Sequence, residues 1–167
     1  MEEIIRVIAQ YLHVTAGILW IGGAFYTIFI QTPAIMAAPP QARGPVIAQL
    51  APRQIFYLLR LGEVTIITGI LRILVSGRAR EMENLGSRWA LSLIIGAVLA
   101  GILLGIGHGI IKPAVKRMLT LGPLAAQGDA GAAAEVGKLV QRLRTLGYYQ
   151  LVLGFAIILG MVLARFS

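Results

Sequence analysis

The sequence predicts an all-α polytopic membrane protein, a four-transmembrane-helix bundle occupying residues 1–167 as a single domain. Three observations carry this. Hydrophobic residues make up 57% of the chain and its mean hydropathy is +0.81, well above the composition of a water-soluble domain. Four apolar stretches each reach the roughly 20 residues that a helix needs to cross the hydrocarbon core. They are unbroken runs, whereas the strands of a spanning barrel alternate over about ten residues.

Span one covers about 4–30, and its apolar run is too long for the core of a cleaved signal peptide. The stretch 33–53 that follows is rich in Pro and Ala, and Val46-Ile-Ala-Gln-Leu50 within it suits a short interfacial helix. Span two covers about 55–77 and stops at Gly77 before a charged turn. Span three covers about 89–111 and closes near Pro113, where a proline ends or kinks a helix. Residues 114–145 are too polar to span and are expected to form a cytoplasmic loop, with a helix from about Ala132 leading into span four at about 146–163. No repeat of fixed period is evident, and a single bundle is the economical architecture.

Charge gives the orientation. With four spans, Arg6, Arg78, Arg80, Arg88 and Arg165 share a side with both termini. The opposite side carries Arg43, Arg53, Lys112, Lys116, Arg117, Lys138, Arg142 and Arg144. The richer side is placed in the cytoplasm, so both termini face outward, in what is expected to be a prokaryotic inner membrane. The net charge of +8 is therefore topological, and nucleic acid is not an expected partner. The expected partners are the lipid bilayer and either other membrane subunits or a second copy of the chain.

Polar groups inside the spans are the candidate functional residues, because each is expensive in hydrocarbon. They are His13, Arg60, Glu63, Arg72 and His108. Taking Gly17, Ile66 and Ala100 as midpoints, His13 lies about 6 Å and Arg72 about 9 Å on the outer side, and His108 about 12 Å on the cytoplasmic side. Histidines about 18 Å apart along the normal do not clamp one iron. His13 is either an axial ligand of haem b, with Arg72 for a propionate and Trp20 against the porphyrin, or a hydrogen bonder between helices. His108 is a ligand at another site or structural. Arg60 and Glu63, three residues apart on one helix face, either lock two helices or serve with His13 as a polar relay. Gly101, Gly105 and Gly109 form a small-residue strip for close approach of another helix or a flat cofactor.

There is no cysteine, so a metal would need His, Met, carboxylate or backbone ligands. Copper, which favours thioethers, would find methionines only at scattered positions: Met36, Met82, Met118 and Met161. No nucleophile–base–acid arrangement and no phosphate-binding glycine loop is present. A non-catalytic redox or anchor subunit is accordingly expected in preference to a stand-alone enzyme.

The order His13, Trp20, Gly23, Phe25, Tyr26, with Ile21-Gly22-Gly23 after the tryptophan, resembles the opening helix of a superfamily of small membrane proteins. It includes the copper-resistance protein D family, the membrane domain of bacterial membrane-anchored urate oxidases and the bacterial membrane protoporphyrinogen oxidase. Gln31-Thr32-Pro33-Ala34, the segment 60–69 and Ile110-Ile-Lys-Pro113 resemble the urate-oxidase type most in outline. The resemblance implies a four-helix membrane module with haem binding at His13. The lysine that the protoporphyrinogen oxidases need early in span three has no counterpart in Trp89-Ala-Leu-Ser-Leu-Ile94, so that activity is not implied. Three functions follow: a b-type haem electron-transfer module or redox-complex subunit, a membrane transporter of copper or a small solute along His13, Glu63 and His108, or a structural anchor.

Overall fold

The structure, a computed structural model, describes residues 1–77, 82, 84 and 86–166; Arg78, Arg80, Glu81 and Glu83 of the charged turn lie outside them. The described residues form helices and turns. Helix α1 (Glu2–Tyr26) passes through a π-helical turn (Thr27–Gln31) into α2 (Thr32–Ala37). After a short bend α3 (Pro40–Val75) returns along it. Helix α4 (Arg88–Ile106) passes through a second π-helical turn (Gly107–Ile111) into α5 (Lys112–Ala126), and α6 (Ala130–Arg165) returns along that rod. Three of these helical rods, Glu2–Ala37, Arg88–Ala126 and Ala130–Arg165, are long and apolar enough to cross a membrane. The apolar run of α3, equally long, is interrupted by Arg60, Glu63 and Arg72.

Helix boundaries follow local chemistry. Ser87 Oγ accepts the Ala90 amide at 3.1 Å to start α4, and Asp129 Oδ1 accepts the Ala132 amide at 2.9 Å to start α6. Gly77 and Gly128, with φ of +74° and +96°, take the left-handed conformation that ends the preceding helices. Two expectations are corrected here. The segment 46–50 is not a separate interfacial helix, because α3 begins at Pro40 and runs through Pro45 and Pro52. The stretch 114–145 is not the expected loop before its helix: α6 begins at Ala130, close to the helix expected from about Ala132, but α5 fills the part up to Ala126, and Arg117 clasps Glu135 across the turn at 127–129 at 2.8 and 3.1 Å. Outside the apolar spans, this guanidinium holds the Glu135 carboxyl below its usual range.

Both π turns have the same cause. Each precedes a proline, Pro33 or Pro113, which offers no amide proton and whose ring crowds the carbonyl four residues back. The helix widens there, so that Thr32 N–H reaches Thr27 O and Lys112 N–H reaches Gly107 O, five residues back. The halves also match in sequence, Thr32-Pro-Ala-Ile35 with Lys112-Pro-Ala-Val115, and Tyr57-x-Leu-x-Leu-Gly62 with Tyr149-x-Leu-x-Leu-Gly154. The fold is thus two similar helical hairpins, α1–α3 and α4–α6, a repeat with no fixed sequence period.

Within each hairpin the helices pack closely; between hairpins α1 meets α6 and α3 meets α4 and α5 more sparingly. The α1–α3 seam is a set of knobs on glycines. A Cβ at Gly62 would lie 2.8 Å from the Trp20 ring, and one at Gly69 would lie 2.9 Å from His13 Cε1. In return, Leu58 and Thr65 of α3 sit over Gly23 and Gly17 of α1. The spacing of seven between His13 and Trp20 therefore matches the seven between Gly62 and Gly69 on the antiparallel partner. The hairpins join through Ala100, Leu103 and Ile157 with Trp20 and Ile66, and at the chain-terminal end Ile73 of α3 packs against the Trp89, Ala90, Leu93 and Ala164 cluster of the second hairpin. The outer surface is studded with Ile, Leu, Val and Phe, as contact with lipid requires.

Candidate functional site

Polar side chains gather at three places along these seams. In the first, His13 Nδ1 lies 2.8 Å from the carbonyl oxygen of Thr65. A carbonyl only accepts, so Nδ1 carries the proton and Nε2 of the neutral ring keeps its lone pair. Thr65 and Thr68 turn their hydroxyls back to the carbonyls of Leu61 and Val64, leaving the seam dry of free donors. Arg72, one turn beyond Gly69, walls a separate shallow groove with Arg6, Gln10, Tyr11 and Thr15. His13 lines neither this groove nor the cavity described below.

In the second, the carboxylate of Glu63 joins two partners. Oε2 accepts from Arg60 Nη1 at 2.6 Å, and Oε1 lies 3.0 Å from Nε2 of His108, which the second π turn presents to α3. Arg60 also lies over the Phe56 ring, 5.3 Å from its centroid. The structure thus joins Arg60, Glu63 and His108 and keeps His13 apart from them. The glycine strip of α4 is not part of any seam: nothing lies within 4 Å of a Cβ built at Gly101, Gly105 or Gly109. The glycines that α4 and its π turn use inside the bundle are Gly96, beneath Met161, and Gly107, beneath Leu59.

The third place lies between the hairpins, where their looser contact leaves a cavity of about 460 Å³ walled by all four rods. Trp20 closes its inner end, where it stacks on Gly62 beside Leu104. The walls are leucine, isoleucine and methionine, interrupted by a few polar groups. Gln31 and Gln54 pair their amides, Gln31 Nε2 donating to Gln54 Oε1 at 2.8 Å, and Gln54 Nε2 also donates to Thr27 Oγ1. Across from them Gln150 of α6, half-buried, lines the cavity with no side-chain hydrogen bond to the protein. Arg144 joins these polar groups, its guanidinium 6.0 Å from the Tyr148 ring centroid, and toward the Gln127–Asp129 turn the lining is apolar again, with Met36, Ile47, Met118 and Val140.

These polar cavity residues were missed by inspection of the sequence, which weighed charged groups and histidines. The available signal was Gln31 and Gln150, amides at the margins of apolar runs. The π turn again explains the local geometry, since it brings Thr27 and Gln31 toward Gln54 on the same side of α1.

A haem needs an open slot beside an axial nitrogen. His13 offers Nε2, but its ring rests on the Gly69 backbone, and the cavity begins at Trp20, about 10 Å further along the helix. Nε2 of His108 is engaged by Glu63. The residues as arranged do not fit a haem, and Arg72 and Trp20 do not flank a common slot. Among the described residues no group of three or more His, Asp or Glu could hold a metal ion. The chain matches no family model, no curated protein and no solved structure.

Proposed function

We propose that this chain is a four-span integral membrane protein of a prokaryotic inner membrane that takes up a small amphipathic molecule into the cavity between its hairpins. The supporting observation is Gln150, an amide without a side-chain partner on the wall of a largely apolar space. In hydrocarbon such an amide is costly unless a bound group satisfies it. The reading belongs with small-solute handling rather than with haem-based electron transfer, and it assigns no bond-breaking step to the protein. Arg60, Glu63 and His108 act as a neutralised lock between α3 and the second π turn.

The chain has two tryptophans, so a Trp89→Phe variant leaves Trp20, at the inner end of the cavity, as the reporter. A brominated single-chain amphiphile is expected to quench Trp20 emission saturably, and the added substitution Ala24→Phe, which fills the cavity wall, is expected to abolish saturation. Quenching that rises linearly and equally in both proteins would refute uptake.

A further inference from the structure

We propose that the shallow groove between α1 and α3, at the chain-terminal end of the bundle, binds one anionic glycerophospholipid with its phosphate on Arg72 and Arg6. The groove lies apart from the cavity between the hairpins, and its occupancy does not depend on uptake there. It encloses about 690 Å³ between the first turns of α1 and the last turns of α3. The contacts of Trp20 with Gly62 and of His13 with Gly69 set the levels of the two antiparallel helices. On that register Arg72 stands level with Gln10, about 6 Å deeper than Arg6.

Arg72 is half-buried, and among the described residues it has neither a hydrogen-bond nor an ion-pair partner. The charge that reaches it from α6, Arg165, is another cation. Arg6 has a loose contact with Glu2, 4.0 Å away on its own helix, but that side chain is 91% exposed and does not line the groove. Two cations from neighbouring helices thus wall one trough that contains no carboxylate among the described residues. In an apolar surface such an arrangement is costly without an anion. Guanidinium groups bind the two free oxygens of a phosphodiester through paired donors. The groove continues inward past Tyr11 to Val14, both exposed on the outer surface and the second about 12 Å deeper than Arg6. A free anion would leave this apolar wall uncovered, whereas a lipid lays its glycerol backbone and the start of an acyl chain along it. Zwitterionic lipids carry an ammonium that the arginines repel and no groove carboxylate receives. A phosphatidylglycerol-type head carries the phosphate without a cation.

Native mass spectrometry of the full chain, titrated in detergent with dioleoyl phosphatidylglycerol or the matched phosphatidylethanolamine, tests the site. The first lipid is expected to saturate at one per chain and to bind about tenfold more tightly, the range of a hydrogen bond to a charged group. Arg72→Gln and Arg6→Gln are each expected to remove most of that preference; the second alters an exposed side chain and keeps the test open if the first does not fold. Arg53→Gln is expected to retain the preference, because Arg53 sits at the opposite end of α3 with its guanidinium on Gln49 of the same helix. Equal affinity for the two lipids in the parent protein would overturn the site. A loss in Arg53→Gln as large as in Arg72→Gln would reduce it to general charge attraction and overturn it as well. Inorganic phosphate is expected to leave the bound lipid in place; displacement by it would assign the arginines to a free anion instead.

Discussion

His13 is the residue most open to two readings, and its surroundings decide between them. The ring lies on bare backbone at Gly69 and donates to the Thr65 carbonyl, so it ties α1 to α3 much as a polar side chain does between helices in hydrocarbon. Replacing it with Ala removes one interhelical hydrogen bond and opens a hole over Gly69. His13→Ala is expected to lower the stability of the purified protein by about 0.6–2 kcal/mol, followed by thermal unfolding in detergent. The visible absorption spectrum is expected to be the same for both proteins; a Soret band lost with the histidine would overturn the assignment. That His13 mattered was legible, because a polar group in a long apolar run demands a partner. Which partner was not, because a carbonyl on α3 has no side-chain signature, and Gly69 shows its role only when the helices are side by side. Gln150 was less legible still, since one amide near a span end is common and gains meaning from the empty space it borders.

At the scale of helices, glycines divide into two kinds that sequence spacing does not separate. Gly101, Gly105 and Gly109 recur every four residues and suggest a packing face, yet they look away from the bundle. Gly17, Gly23, Gly62 and Gly69 are less regular in appearance and form the α1–α3 seam, because a knob from one helix needs a hole at the matching level of the other. Gly62→Ala is expected to destabilise the protein by about 1–3 kcal/mol, since its methyl would meet the Trp20 ring. Gly105→Ala meets open space and is expected to be neutral or to stabilise by up to about 1 kcal/mol through the helix propensity of alanine. Unfolding midpoints of the two variants measured side by side check the pair; a reversed order would show that the seam has been misplaced. Three of the four expected spans coincide with helical rods long and apolar enough to cross a membrane, but their ends were not legible from run length. Polar and alanine-rich composition around 114–145 suggested a loop, whereas Arg117–Glu135 pairing and an aspartate cap let helices continue beyond the apolar part. The Pro- and Ala-rich composition of 33–53 suggested a separate short helix at 46–50, whereas α3 runs through Pro45 and Pro52.

For the whole molecule, duplication of a hairpin has a consequence for how it sits in the bilayer. Two hairpins whose first rods run the same way place the α2–α3 bend and the α5–α6 turn at one end, and Glu2, Val75, Arg88 and Arg165 at the other. The first end collects Arg43, Arg53, Lys116, Arg117, Lys138, Arg142 and Arg144, so the positive-inside rule predicts that it faces the cytoplasm. The natural absence of cysteine makes the orientation directly measurable. Glu3→Cys marks the terminal end and Gln127→Cys the turn end, and both positions are exposed. In intact cells, a membrane-impermeant maleimide is expected to label the cysteine at 3 and spare the one at 127, with both labelled after lysis. The opposite pattern would invert the protein. Labelling of both positions in intact cells at equal rates would mean that the two ends do not lie on opposite sides of a membrane, and the four-span arrangement would fall with it.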